Sequence, residues 1–126
     1  MAFKTEVARF WADKGLSCIV SPLFPHCAPL ISHYSDVSLM LEYAIFHNVT
    51  GYPVGVLPVT NVAADEQHFD DPYKDSWTRL IKEMAAGSEG MPIGVQFVGY
   101  IYEDEKLLAI MKDVEAKLKY QLRFKK

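Results

Sequence analysis

Histidine and cysteine side chains crowd one short stretch of the chain and are the first candidates for chemistry. His26, Cys27 and His33 lie in a segment that also holds several prolines. Imidazole and thiolate groups are ligands that zinc prefers, but this spacing fits no known zinc motif and no fourth ligand is evident. A nucleophilic pair of Cys27 with a histidine has only proximity in its favour. We therefore expect a loop with incidental histidines.

The other candidates are one serine, one asparagine and a group of acids. Ser88 lies in a Gly-Ser-Glu-Gly sequence at 87–90, which imitates the turn that presents a nucleophile, yet glycine and serine are ordinary turn residues. Asn48 opens a formal glycosylation acceptor, which means little without a secretory signal. Four acids could bind a cation, but a solvated loop explains them as well. They are Asp65, Glu66, Asp70 and Asp71. The sequence thus predicts no catalytic residue, no metal and no cofactor.

The composition predicts one globular domain spanning 1–126. Half of the 126 residues are hydrophobic and 23% are charged. A net charge of −3 argues against a nucleic-acid partner. Apolar runs fall far short of the roughly 20 residues that cross a bilayer, so no transmembrane segment is expected. Two cysteines and no secretory signal predict an intracellular protein, in the cytoplasm or an organelle, with any membrane association made through a complex.

Apolar periodicity predicts four helices alternating with three strands. The helices are expected at about 3–14, 36–49, 72–86 and 103–120, and the strands at 16–20, 54–59 and 93–98. Ser35 or Asp36 can cap the second helix, Gly51 ends it, and Pro72 suits the first turn of the third. The order α-β-α-β-α-β-α indicates an α/β layered domain. The inward positions of the last three helices are expected at Val37, Leu41, Ala44, Ile45, Val49, Trp77, Leu80, Ile81, Met84, Leu107, Leu108, Met111, Val114 and Leu118.

The predicted sheet has only three strands, although those strands are as apolar as the strands of a larger, fully covered sheet. Apolar residues occupy nearly every strand position, as in a sheet that is covered on both faces. Three strands leave two edges, and an exposed apolar edge is an aggregation hazard unless something pairs with it. We therefore expect an incomplete sheet, part of a larger one, that other protein chains cover.

Two blocks hemmed by glycine and proline are the most informative part of the sequence. They are Asn-Val-Thr-Gly-Tyr-Pro-Val-Gly-Val-Leu-Pro-Val at 48–59 and Met-Pro-Ile-Gly-Val-Gln-Phe-Val-Gly at 91–99. Together with the Ser21-Pro22 turn, Trp77 and the acidic start of the last helix, they resemble the carboxy-terminal part of amidase-signature hydrolases. Within that family they resemble the fatty-acid amide hydrolases in particular. The resemblance runs from about residue 3 to 118 and depends on joint order and spacing.

The resemblance implies a catalytic apparatus that this sequence does not contain. Members of the family hydrolyse amides with a Ser–cis-Ser–Lys triad, in which a neutral lysine acts as base and backbone N–H groups hold the oxyanion. Their nucleophilic serine lies in a Gly/Ser-rich segment upstream of the region matched here. No such segment is present, so we expect that the chain alone does not hydrolyse amides.

The resemblance also implies a substrate-channel-like set of residues. Leu41 and Ile45 match positions that line an acyl-chain passage, and one turn apart they share a helix face. Ser38 lies one turn before Leu41 and extends that face, while Trp77 matches a tryptophan of the passage. An acyl-chain lipid is the ligand so implied. Periodicity alone predicts the same residues as ordinary core, and we favour that simpler interpretation.

Two functions from different classes remain open. In the first, the chain is a non-catalytic, amidase-like accessory or structural subunit of a larger protein assembly. In the second, it is the carboxy-terminal piece of a split or truncated amidase whose triad is supplied by another chain. We favour the structural function.

Overall fold

The architecture is a three-stranded sheet with helices on both sides. The computed structural model describes residues 2–33, 38–118 and 120, with the backbone alone at 38 and 39. The helices are α1 (Ala2–Lys14), α2 (Glu42–Thr50), α3 (Ser76–Ala85) and α4 (Asp104–Leu118), and the strands are β1 (Ile19–Pro22), β2 (Val54–Asn61) and β3 (Pro92–Val98). Two 3₁₀ turns, Ile31–His33 and Ser38–Leu41, precede α2. This order confirms the predicted α/β class.

The last strand in the sequence is the central strand of the sheet. The spatial order is β1-β3-β2, and β3 is antiparallel to both neighbours. Gln96 lies opposite Ser21 on one side and Val56 on the other. A bulge interrupts the β2–β3 pairing between Pro58 and Thr60. Each outer strand, β1 and β2, therefore has one edge that no described strand pairs with.

Helix α4 covers one face of the sheet above β2 and β3. Its Leu107 and Met111 form the main core cluster with Leu57 and Phe97. Gly55 permits this close approach, because a Cβ atom at that position would overlap the Met111 Sδ atom. Burial of these apolar side chains is the main stabilising contribution to this half of the fold.

Helices α1 and α2 cover the opposite face above β1 and β3. Trp11 packs against the rings of Tyr52 and Tyr100 at centroid distances of 5.5 and 5.7 Å, and its Nε1–H donates to the Leu16 carbonyl at 2.7 Å. Val98, directly beneath, is fully buried. The aromatic cluster fixes α1 on the sheet.

The two helix layers are offset from each other, so neither covers the whole sheet. Val54 and Val56 share a face with Val98 and Gln96 across the strand pair, yet both are exposed. On the other face Val20 is opposite the buried Phe97 and is also exposed. The expectation of a sheet covered on both faces therefore holds only in part.

Several predicted boundaries and inward positions are wrong. Helix α3 begins at Ser76 rather than Pro72, because the Asp75 Oδ1 atom accepts the Thr78 N–H at 2.8 Å and caps the helix there. That hydrogen bond holds the pKa of the Asp75 carboxyl below its usual value. Strand β1 extends through Pro22, which an edge strand tolerates.

The predicted inward face of α4 is also wrong in part. Leu107 and Met111 are buried, but Leu108 and Leu118 are exposed. Only one stripe of this helix reaches the sheet, and Leu108 lies outside that stripe. Leu118 is the last residue of the helix.

Candidate functional site

A single buried glutamine fixes the orientation of α2. Gln96 lies in the central strand and is 1% exposed. Its Nε2 atom donates to Ser21 Oγ at 2.9 Å, to the Pro22 carbonyl at 3.0 Å and to the Tyr43 carbonyl at 2.9 Å. These bonds join β3 to β1 and to the first turn of α2. The side of α2 that carries His47 and Thr50 consequently faces the protein and is buried.

The opposite side of α2 is an apolar surface that the described residues leave about half exposed. Leu41, Ile45 and Val49, here called the helix surface, are 47%, 51% and 53% exposed. The interpretation of these side chains as core residues is therefore wrong within this chain. The helix itself ends as predicted, because Gly51 adopts the left-handed conformation with φ of 75° and donates its N–H to the His47 carbonyl.

Of the remaining channel-like residues, Trp77 lies in a cleft separate from the helix surface. Trp77, on α3, is 38% exposed and lines a cleft with His33, Arg79 and Glu83. That cleft includes neither Leu41 nor Ile45. The predicted Ser38 side chain, like the predicted caps Ser35 and Asp36 and the predicted inward Val37, lies outside what the structure describes. A shared channel-like role of these residues stays a prediction.

Ser88 has the surroundings of a turn residue. It is buried, and its hydroxyl donates to the Ala85 carbonyl at 2.6 Å. Gly87 and Gly90 on either side adopt positive φ values of 76° and 77°, which glycine allows without strain. The titratable side chain that Ser88 hydrogen-bonds is the Cys27 thiol, and burial raises the pKa of that thiol and keeps it neutral, so it is a poor base. The geometry therefore favours the turn.

The Cys27 and His26 side chains form a neutral pair. Cys27 Sγ lies 3.1 Å from His26 Nδ1. Burial raises the pKa of the Cys27 thiol and lowers the pKa of the His26 imidazole, so both groups are uncharged near neutral pH. Nucleophilic cysteines require the thiolate form. Among the described residues no group of three His, Cys, Asp or Glu side chains is arranged to hold a metal ion.

Two of the loop acids support the backbone. Glu66 Oε2 accepts the Ala63 N–H at 2.8 Å, and Asp71 Oδ1 accepts the Tyr73 N–H at 2.8 Å. Carboxylates used in this way stabilise turns. No helix within the described ranges combines the length and apolar character that a membrane span requires.

Gln96 and His47 are among the buried polar residues that the sequence reasoning missed. A glutamine inside an otherwise apolar strand was the available signal, because a buried amide needs hydrogen-bond partners and therefore joins elements. His47 gave no comparable signal, since it lies in a helix whose apolar residues were expected to face inward.

Comparison with a solved structure defines the class of this fold. The chain superposes on fatty acid amide hydrolase with a TM-score of 0.69 and 20% identity, covering 95% of this chain and 22% of the other. It therefore has the fold of a segment of the amidase-signature hydrolases.

Sequence comparison identifies the particular relatives. The chain is 31% identical over 117 residues to fatty acid amide hydrolase 1 of Caenorhabditis elegans and 25% identical to fatty-acid amide hydrolase 1 of Sus scrofa. Each match covers 90% of this chain and 20% of the relative, so the chain spans about a fifth of the relatives' length. No family model matches. The chain is an amidase-like segment that resembles the fatty-acid amide hydrolases.

Proposed function

We propose that this amidase-like segment is a non-catalytic accessory subunit of a larger protein assembly. The helix surface and the free edge of β2 are its contacts with neighbouring chains. The function is structural: the segment contributes packing surface and strands rather than reacting groups.

The observation that carries the proposal is the outward orientation of the apolar side of α2. Gln96 holds the His47 side against the sheet, which leaves Leu41, Ile45 and Val49 about half exposed. Covering three such side chains with a partner contributes about 1 kcal/mol each, half of the value for complete burial. Contiguous exposed apolar surface of this kind is characteristic of protein contacts.

The comparisons support a second candidate with the same contacts. A fifth of a hydrolase fold can be completed by another polypeptide that carries the Ser-Ser-Lys triad. In that case the assembly hydrolyses acyl amides, although this chain supplies none of the reacting groups. The two candidates differ in whether a reactive serine is present elsewhere in the assembly.

We expect no reaction of the purified full chain with a fluorophosphonate probe, which labels activated serines. The physical reason is that the Ser88 hydroxyl donates a hydrogen bond to the Ala85 carbonyl and that the neighbouring Cys27 thiol is held in its neutral form by burial. Labelling is read on a gel beside an intact fatty acid amide hydrolase as the positive control. Labelling of the wild-type chain would contradict a non-catalytic role.

We expect the tagged chain to migrate in a native extract as part of a particle much larger than its own 14.3 kDa. Ile45→Asp should release it from that particle, because a carboxylate on the helix surface loses hydration when a partner covers it. Leu108→Asp is the matched control, since Leu108 is exposed on α4 on the other side of the sheet. Circular dichroism checks that both variants stay folded.

The same particle distinguishes the two candidates. Fluorophosphonate labelling of a second polypeptide in the particle would establish the split amidase, and its absence supports the accessory role. A wild-type chain that migrates as a monomer, or an Ile45→Asp variant that stays in the particle, would overturn the proposed contacts.

A further inference from the structure

The His47 side chain is buried under the second half of α2 in a place that cannot accommodate a second ring proton. It is 8% exposed, and its Nδ1 atom is inaccessible to solvent and has no hydrogen-bond partner among the described residues. Its ring packs edge-on against Phe46 at a centroid distance of 5.1 Å. A neutral imidazole has one N–H, whereas an imidazolium has an N–H on both nitrogens. Whichever tautomer is present, the charged ring would bury an N–H at Nδ1 that no group accepts.

The charged groups around His47 do not compensate a positive ring. Strands β1 and β3 bring no charged side chain to the two recesses that adjoin it, while α1, α2 and the loop before β2 bring Glu6, Glu42, Tyr43 and Tyr52. Neither carboxylate forms an ion pair with the ring in the described part of the chain, and tyrosine hydroxyls are neutral in acid. The carbonyl end of α2 favours a cation, yet none of its carbonyls accepts from Nδ1. The Lys4 ammonium of α1 lies beside Gly51, at the same end of the helix, and would repel an imidazolium.

The two halves of α2 are held to the protein by different groups. The Gln96 amide holds the first turn through the Tyr43 carbonyl at 2.9 Å, and an amide does not titrate. The second half depends on the buried side that carries His47. Recesses of about 290 and 440 Å³ adjoin that side, and Gly51, with φ of 75°, supplies a flexible joint after the helix. The second half can therefore move while the first turn stays in place.

We propose that α2 is a pH-sensitive element whose second half leaves the sheet when His47 gains a proton in mildly acidic conditions. In the docked helix, burial holds the pKa of His47 below its ordinary value of 6.5, whereas hydration of the ring in the released helix restores that value. Above pH 6.5 the ring is neutral in both forms, so docking does not depend on pH. As the pH falls below 6.5, the released form takes up the proton first and docking weakens, until the pH reaches the docked pKa.

Amide hydrogen exchange of the purified full chain at pH 7.5 and 5.5, corrected for the intrinsic rates, tests this element. We expect the protection of the Val49, Thr50 and Gly51 amides to fall about three- to tenfold at pH 5.5, since one pH unit changes a protonation equilibrium by a factor of ten. Helix α4 should show a smaller change. His47→Phe keeps a buried ring of similar shape that cannot take up a proton, and it should show no such loss. His68→Gln, in an exposed loop, is the matched control that should behave as wild type.

Unchanged protection of α2 in the wild type, an equal loss in α4, or the same loss in a folded His47→Phe variant would overturn the proposal. Titration of the His47 ring by NMR tests the wild-type chain without any substitution. We expect its ring signals to titrate below 6.5 and the Val49 amide signal to shift with the same midpoint. Titration at or above 6.5, or a Val49 signal independent of that midpoint, would also overturn it.

The consequence for assembly rests on the proposed accessory function, because α2 carries the helix surface. At pH 5.5 the tagged wild-type chain should leave its particle, and His47→Phe should remain in it. A chain that is monomeric at every pH would contradict the accessory function without changing the exchange result. A wild-type chain that stays in the particle at pH 5.5, with α2 released by exchange, would overturn the link between α2 and the partner.

Discussion

Replacing Gln96 with leucine is expected to lower the free energy of unfolding by about 2–4 kcal/mol. The two N–H bonds of the amide are shared among three acceptors, of which the Pro22 and Tyr43 carbonyls belong to different elements. Leucine fills a similar volume but leaves both carbonyls without this donor. Because the bonds connect β1, β3 and α2, the loss also frees α2 from the sheet. Urea denaturation followed by circular dichroism measures the change.

Gln96→Glu provides a second, pH-dependent version of the same test. The introduced carboxyl would be buried against two carbonyl oxygens, so the folded state favours its protonated form and raises its pKa above the unfolded value of about 4.3. Below the unfolded pKa the carboxyl is protonated in both states and its charge costs no stability. As the pH rises above that pKa, the unfolded state ionises first and the variant loses stability. The stability difference between variant and wild type should therefore increase from about pH 4 to pH 7.

Gln67→Leu is the matched control for the glutamine substitutions. Gln67 Nε2 donates to a single carbonyl, that of Ala64, in an exposed loop. Its replacement should change the free energy of unfolding by about 0.5 kcal/mol or less. Equal effects at Gln67 and Gln96, or a Gln96→Glu variant without pH dependence, would show that Gln96 does not join the three elements.

Gly55→Val is expected to lower the free energy of unfolding by about 1–3 kcal/mol, the usual range for overpacking a core. A Cβ atom at Gly55 overlaps Met111 Sδ and Cε, so α4 or the methionine must move. The terminal atoms of Met111 are flexible, but the side chain is buried beside Leu57 and Phe97 and has little room. Thermal unfolding measures the loss.

A double-mutant cycle separates this contact from a general intolerance of Gly55 to substitution. Met111→Ala alone should cost about 2–5 kcal/mol through the cavity that it leaves. In the double variant the valine fills part of that space, so the combined loss should be smaller than the sum of the single losses. Additive losses would contradict the packing of α4 against Gly55.

The order of elements was predictable because its signals are local. Helix α2 ends at Gly51, which adopts the left-handed conformation, and a glycine at the end of an apolar helical pattern is a signal that the sequence alone provides. The start of α3 shows a local signal that was misread: Asp75 is a strong N-cap residue, and as good a start signal as Pro72. Competing caps within a few residues cannot be ranked without knowing which hydrogen bonds the fold completes.

The orientation of α2 was not predictable in the same way. Apolar side chains occur on several sides of this helix, including Tyr43, Ile45, Phe46 and Val49. Periodicity therefore does not decide which side faces the sheet. A contact 53 residues distant along the chain, from Gln96 to the Tyr43 carbonyl, decides it. The resemblance to a larger hydrolase was the only guide to a channel-like role for Leu41, Ile45 and Trp77, and that role stays a prediction.

Pro58 limits how far a foreign strand can extend the sheet. The Gly99 N–H donates to the Pro53 carbonyl, so alternation along the antiparallel pair turns the peptide groups of Val54, Val56 and Pro58 towards the free edge. Proline has no N–H, and the bulge that follows breaks the register. Before the bulge, an incoming strand therefore finds backbone donors at Val54 and Val56 alone. The edge can dock one short segment of a specific neighbour but is a poor template for fibril growth, since strands that stack side by side in a fibril require an unbroken ladder of hydrogen bonds.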